Sequence, residues 1–278
     1  FVFTGHSLGR VKRKRLLANG AAKEAVDGRY NFKQRIEAEE TALNTAALVV
    51  ASTNQEVEQQ YKIYDYYETS RMEVIAPGVD LRRFLPPKSD IVDCPIAAEV
   101  SRFLRDPDKP MVLAIARPDV RKNFPALIKA YAEHEGLRRQ ANLVLVAGNR
   151  ERFASLPPAQ RKVLRGILGL IDEYDLYGSV AFPKNHTAED VPDLYRLAAY
   201  TKGVFVNPAL TEPFGLTLIE AAACGLPLVA TNDGGPRDII GTCKNGFLVD
   251  ALSPKEIAKA VYQVIDSTNR WQTWSSNG

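Results

Sequence analysis

Short apolar runs alternate along this chain with longer stretches in which apolar residues recur at helical spacing. The runs at 47–51 (Ala-Leu-Val-Val-Ala) and 72–76 (Met-Glu-Val-Ile-Ala) read as buried strands, the second closed by Pro77 and Gly78. The same signal returns near 111–116, 142–147, 179–182, 203–206, 227–230 and 246–249. Helical patterns fall near 31–43, 124–138, 158–174, 189–199, 215–224 and 254–266. Strands alternating with helices in this way predict an α/β protein with parallel sheets covered by helices. From about 81 to 109 the composition turns to Pro-Pro, Lys-Ser-Asp and Asp-Pro-Asp-Lys-Pro, with one short helical pattern near 97–104. The chain therefore divides into an α/β portion over 1–80, an inter-domain connection over 81–109, and a complete nucleotide-binding α/β domain over 110–278.

At 278 residues, with 45% hydrophobic and 25% charged, the composition is that of a soluble globular protein with room for two cores. No apolar run approaches the roughly 20 residues that span a bilayer, so no membrane helix is expected. The net charge of +3 excludes little, but Arg10, Lys12, Arg13, Lys14 and Arg15 crowd into six positions. Cys94, Cys224 and Cys243 are an odd set with no close pair, which argues for reduced thiols, a cytoplasmic protein and no zinc site. The chain opens on Phe1 in what reads as a strand and stops at Gly278 in what reads as a helix-to-loop passage, so an internal fragment is expected.

The most informative chemistry is Thr211-Glu-Pro-Phe-Gly-Leu-Thr-Leu-Ile-Glu220, two carboxylates set across a loop-to-helix junction. A helix starting near Phe214-Gly215 leaves the backbone N–H groups of Phe214, Gly215, Leu216 and Thr217 without intrahelical partners, and such groups bind anions. Glu212 sits at that mouth and Glu220 about 1.5 turns into the helix. Carboxylates accept from neighbouring hydroxyls, so carboxylate, amides and carboxylate suit sugar, diphosphate and ribose in a row. The bare spacing also fits a helix cap at Glu212 and a solvated Glu220. Arg117 and Lys122 lie in the loop after the strand at 111–116, where open α/β sheets bind ligands, and two cations there can hold a diphosphate. Arg121 beside them reads as solvent-facing.

Other signals are weaker. Gly5-His-Ser-Leu-Gly9 matches the nucleophile elbow of α/β hydrolases, which would make Ser7 a nucleophile. Against it, the helix that follows is Arg-Val-Lys-Arg-Lys-Arg rather than small and apolar, and only His134 and His186 stand downstream as bases. The basic run at 10–15 fits a solvated helix face, a nucleic-acid or localisation signal, or a phosphate clamp; aromatic interleaving is missing, so nucleic acid is not expected. Asp106-Pro-Asp108 reads as a surface loop, and no set of converging oxygens suggests a metal. Gly148, Lys184 and Asn185 fall at strand ends where they could border a base. Tyr61, Tyr64, Tyr66 and Tyr67 read as partly buried helix residues.

The 211–220 string resembles the nucleotide-sugar site of retaining glycosyltransferases of the GT-B type, which have two Rossmann-like domains. Tyr195-Arg-Leu-Ala-Ala, Thr201-Lys-Gly-Val-Phe-Val-Asn-Pro-Ala-Leu, Asp233-Gly-Gly-Pro236, Thr4-Gly-His-Ser-Leu-Gly-Arg10 and Arg35-Ile-Glu-Ala-Glu-Glu40 are similar to the sucrose-phosphate synthase family. That resemblance implies a GT-B fold whose N-terminal domain is incomplete here, because the family's glycine-rich donor loop is missing. It implies glucose transfer from UDP-glucose to fructose 6-phosphate, with a ligand spanning the two halves. It places His6 and Glu212 on the glucose, Glu220 on the ribose, Arg117 and Lys122 on the diphosphate, and Lys12 helped by Arg10 on the acceptor phosphate. No cofactor is implied, with Mg2+ at most stimulatory, and a phosphatase acting on the product is a conceivable partner. The fragment alone is expected to be inactive. The choice between UDP and ADP stays open, as does a sucrose synthase or related hexosyltransferase with another acceptor.

Overall fold

The computed structural model describes residues 1–278 apart from His6, Ser7, Asn19, Ser89, Asp90 and Val92. It divides into two compact units, 1–77 and 78–278.

The first unit carries β1 (Val2–Thr4), α1 (Gly9–Ala18), α2 (Lys23–Tyr30), α3 (Phe32–Thr45), β2 (Leu48–Ala51) and β3 (Met72–Val74). The three strands form a parallel sheet in the order β1-β2-β3, with Phe3 opposite Val49 and Val49 opposite Met72. Leu8, Leu43, Val49, Ala51, Tyr61 and Tyr64 make its core. Tyr61 and Tyr64 are buried, whereas Tyr66 is about half exposed. Their hydroxyls explain the burial, because Tyr61 Oη accepts from the N–H of Gly5 at 2.9 Å and Tyr64 Oη from that of Arg10 at 3.0 Å. The acidic end of the 35–40 string also acts on α1. Glu39 takes the N–H of Gly9 at 2.8 Å, filling the anion position at that helix start, and Glu40 pairs with Arg10.

The second unit holds α4 (Pro95–Ser101), β4 (Met111–Ile115), α5 (Phe124–Glu133), α6 (Glu135–Gln140), β5 (Asn142–Val146), α7 (Pro158–Glu173) and β6 (Val180–Ala181). It continues with α8 (Asp190–Tyr200), β7 (Val204–Asn207), α9 (Leu216–Ala223), β8 (Leu228–Thr231), α10 (Pro236–Cys243), β9 (Gly246–Val249), α11 (Pro254–Ile265) and α12 (Thr268–Asn277). Six parallel strands run in the order β6-β5-β4-β7-β8-β9. One apolar cluster, with Leu127, Ile128, Leu164 and Val261, covers one face; another, with Leu194, Tyr195, Phe205 and Leu218, covers the other. Burial on both faces is why β4, β5, β7 and β8 read as continuous apolar runs, whereas β9, at the sheet edge, is only partly buried.

The stretch read as an inter-domain connection packs into this second unit, since Phe84, Ile96, Ala97 and Val100 are buried beside Tyr195 and Phe205. The helix expected over 124–138 is two helices. His134 leaves helical geometry and its Nδ1 accepts from the N–H of Leu137 at 3.1 Å, capping α6. Among the described residues no helix is long and apolar enough to cross a membrane.

Candidate functional site

β4 and β7 are neighbours in the sheet but not in the sequence, so the chain winds away from them in opposite directions. The loops at their carboxyl ends part there and leave a crevice, the place where open parallel sheets bind ligands. Arg117 and Lys122 lie on the first loop, Glu212 and the start of α9 on the second.

The first loop is tied down at several points. Asp119 accepts from the N–H of Arg121 at 2.9 Å and pairs with its guanidinium at 2.7 Å, which holds the Asp119 carboxyl down at about 2. Arg121 is thus half exposed but ion-paired. Asn123 takes a left-handed conformation, and its side-chain amide donates to the carbonyls of Pro208 (3.1 Å) and Ala251 (2.8 Å). The N–H of Leu210 donates to the carbonyl of Arg121 at 2.8 Å, joining this loop to the next. Lys122, between these anchors, donates to Glu212 Oε2 at 2.6 Å, with both side chains mostly buried.

The second loop is gripped by the Asp233-Gly-Gly-Pro236 turn. The N–H of Glu212 donates to the carbonyl of Asp233 at 3.2 Å, and that of Gly235 to the carbonyl of Glu212 at 2.9 Å. A Cβ on Gly234, whose φ is +94°, would lie 2.0 Å from the Glu212 carbonyl oxygen; one on Gly235 would lie 2.1 Å from that of Phe214. Only glycine allows two backbones to approach so closely. Gly215, at φ +85°, turns the chain into α9. The ladder of α9 begins with Leu218 and Ile219 donating to Gly215, which leaves the amides of Leu216 and Thr217 ahead of it at the helix start.

Arg117, Gly148, Thr217 and Glu220 line one cavity of about 440 Å3, together with Arg83, Phe84, His186 and Tyr195. Burial raises the pKa of Glu220, opposed by a hydrogen bond from Tyr195 (3.2 Å) and by the charge of Arg83. His186 is lowered by its own burial. Lys184 and Asn185 line a neighbouring cavity of about 600 Å3, to which His186 also contributes. Asn185 donates to Glu151 at 2.8 Å, and Lys184 offers its carbonyl to the N–H of Arg150 at 3.0 Å.

Of the site residues expected from sequence in the second unit, some are brought together, whereas Lys184 and Asn185 line a separate cavity. Lys122 meets Glu212, and Arg117 shares a cavity with Thr217 and Glu220. Arg10 and Lys12 belong to the first unit. Arg10 is already shared by Glu40 (2.5 Å) and Asp65 (2.6 Å), whereas the Lys12 ammonium lies over the ring of Tyr30 at 4.3 Å. His6 and Ser7 lie outside the described residues. Sequence reasoning missed Tyr195, Arg83 and Asn207. Only Asn207 carried a signal, as a polar residue closing an apolar strand just before a proline.

Residues 97–278 match the family described as Glycosyl transferases group 1. The chain belongs to that family. Over its whole length it is 46% identical to "Sucrose-phosphate synthase" of Zea mays and 44% identical to that of Spinacia oleracea. It spans 30% of the length of each. Among solved structures, "Sucrose-phosphate synthase" from Thermosynechococcus elongatus superposes with a TM-score of 0.74 at 27% identity, covering 99% of this chain and 61% of that one. Anabaena HepE in complex with UDP and glucose gives a TM-score of 0.72 at 20% identity, covering 99% of this chain and 64% of that one, a likeness of fold. The parallel α/β class and GT-B type expected from the resemblance are those of the molecule.

Proposed function

We propose that the complete protein is a retaining glycosyltransferase that moves glucose from UDP-glucose to fructose 6-phosphate, releasing sucrose 6-phosphate and UDP. The observation that carries this reading is the meeting of Lys122 with Glu212 beside the start of α9, at the crevice between β4 and β7. Cations for a diphosphate, a carboxylate for sugar hydroxyls and a second carboxylate for ribose follow one another there. The names of the relatives suggest the sugar and the acceptor.

In this reading the acceptor hydroxyl attacks the anomeric carbon of glucose from the face the nucleotide leaves. The bond from that carbon to the diphosphate oxygen breaks, and the hydroxyl proton passes to the departing phosphate. Arg117, Lys122 and the amides of Leu216 and Thr217 stabilise the charge that grows on the diphosphate. Glu212 and His6 hold the glucose, Glu220 the ribose, and Gly148, Lys184 and Asn185 border the base. Positioning and electrostatics suffice without a cofactor, with Mg2+ at most stimulatory. A cytoplasmic location and a phosphatase acting on the product belong to the same proposal.

The test is a panel of UDP-glucose and ADP-glucose against fructose 6-phosphate and fructose, using the complete protein, with products identified by mass and linkage. Sucrose 6-phosphate from UDP-glucose is expected. A free disaccharide made equally well from plain fructose would instead support a sucrose synthase-like reaction. One observation favours that second reading: Arg10, one of the two cations expected at the acceptor phosphate, is already engaged by two carboxylates.

A further inference from the structure

Glu212 receives two donors, and both reach the same oxygen. Lys122 Nζ lies 2.6 Å from Oε2, and Asn207 Nδ2 lies 2.9 Å from it. Among the described residues no donor engages Oε1. Asn207 is the last residue of β7 and is 6% exposed, against 8% for Glu212. Its orientation is fixed independently of Glu212, because the N–H of Ala209 must donate to an oxygen and finds Asn207 Oδ1 at 3.2 Å. With Oδ1 turned to Ala209, the NH2 group has to face the carboxylate. A buried amide on a rigid strand end is thus anchored on one side and aimed on the other.

We propose that Asn207 is a positioning residue for Glu212. It holds Oε2 so that Oε1 stays turned toward the donor sugar, and it keeps that aim when Lys122 is drawn to the diphosphate. The inference rests on the reading of Glu212 as the sugar-holding carboxylate. Lys122 has two anions to serve, its carboxylate partner and an incoming diphosphate, and a cation attracted by the second pulls less on the first. The Asn207 amide bears no charge and has no second anion to follow. Its hydrogen bond to Glu212 therefore persists through donor binding and constrains the carboxylate while the sugar hydroxyls are held.

The test is a double-mutant cycle in the complete protein, following turnover with UDP-glucose and fructose 6-phosphate and UDP affinity by calorimetry. Asn207→Ala should lower kcat roughly tenfold to a hundredfold, the range for losing one hydrogen bond to a charged group. UDP affinity should stay within about twofold, because UDP lacks the sugar that Glu212 meets. In a Glu212→Ala background the same change should cost nothing further. An equal loss in both backgrounds, or an unchanged kcat on Asn207→Ala, overturns the proposal while leaving Glu212 in its role. An unchanged kcat on Glu212→Ala overturns the underlying reading and this inference with it.

Asn207→Asp guards against misfolding of the alanine variant, since it nearly preserves shape while setting a carboxylate against a carboxylate. Among the described residues, the charged groups that face this pair include Lys122 and Arg121 on the first loop, with Asp233 on the turn bonded through its carbonyl to the N–H of Glu212. Its activity relative to the unmodified protein should rise as pH falls, because one proton taken up by the pair restores a donor between the two oxygens. A ratio that stays flat with pH overturns the proposal.

Discussion

The phenol of Tyr195 donates a hydrogen bond of 3.2 Å to Oε2 of Glu220, joining a fully buried residue of α8 to the carboxylate assigned to the ribose. Glu220 is only half-buried, yet burial is the largest influence on its acidity and raises its pKa above 4.5. The Tyr195 hydrogen bond and the charge of Arg83 work the other way and favour the ionised form that ribose hydroxyls need. Tyr195, whose own ionisation is pushed well up by burial, remains a donor at every working pH.

Nucleotide affinity should therefore depend on pH through Glu220. In the proposed site ribose hydroxyls donate to the carboxylate, so binding favours the deprotonated form, and a raised pKa in the free protein brings protonation into play above the usual carboxylate range. UDP affinity should fall about tenfold per pH unit below that raised pKa. Glu220→Gln should bind UDP roughly tenfold more weakly at neutral pH and lose this limb, which calorimetry across pH reads directly. Protonation of the phosphates occurs in both proteins and cancels in the comparison. Tyr195→Phe should move the limb to higher pH. A limb that survives in Glu220→Gln would remove Glu220 from the site.

Arg117 and Lys122 should separate in stability while agreeing in catalysis. In the proposed reaction the charge they face grows as the diphosphate departs, so alanine at either position should lower kcat more than it raises KM for UDP-glucose. Lys122→Ala also strips a mostly buried carboxylate of its only ion-pair partner among the described residues, and should lower Tm. Among the described residues Arg117 has no ion pair, so Arg117→Ala should leave Tm nearly unchanged. An effect confined to KM would argue against a role for either residue in turnover.

The fold was legible wherever burial is two-sided. Every strand of the six-stranded sheet reads as an apolar run, and α5, α7 and α11 show wide apolar stripes. The pattern fails for α12, which has no fully buried residue and is set by the Ser267 cap, and for α10, which begins at a proline inside a glycine-rich turn. The segment 81–109 looked like a linker because its prolines and charges dominate, although Phe84, Ile96 and Val100 bury as fully as core residues. In the site, the 211–220 string and the Arg117–Lys122 loop could be found because they lie at strand ends. Tyr195 could not, since its place beside Glu220 comes from the packing of α8 against α9 and leaves no periodicity.

Lys12 tests the acceptor. Its ammonium has a ring beneath it and, among the described residues, no carboxylate partner, whereas Arg10 bridges Glu40 and Asp65. Lys12→Ala should raise KM for fructose 6-phosphate about tenfold to a hundredfold, leave UDP-glucose affinity alone, and narrow the discrimination against fructose. Arg10→Ala should chiefly lower Tm. If steady-state kinetics of Lys12→Ala match the unmodified protein, the basic run is a solvated face and the acceptor need not be charged.

The glycine turn makes the sharpest steric prediction. At Gly234 a methyl group would lie 2.0 Å from the Glu212 carbonyl oxygen, well inside contact, on a backbone already at φ +94°. Neither the carbonyl nor the turn can yield without moving Glu212, whose side chain is fixed by Lys122 and Asn207. Gly234→Ala should therefore lower Tm and reduce kcat together, as the 212–214 loop is pushed out of register with Lys122. Gly241, one helix away in α10, has nothing within 4 Å of the same added atom. Gly241→Ala should leave kcat unchanged and raise stability by up to about 1 kcal/mol through helix propensity. If the turn clamps the site, thermal melts shift in opposite directions in the two variants and turnover falls in Gly234→Ala alone; full activity in Gly234→Ala would show that Glu212 is held without it.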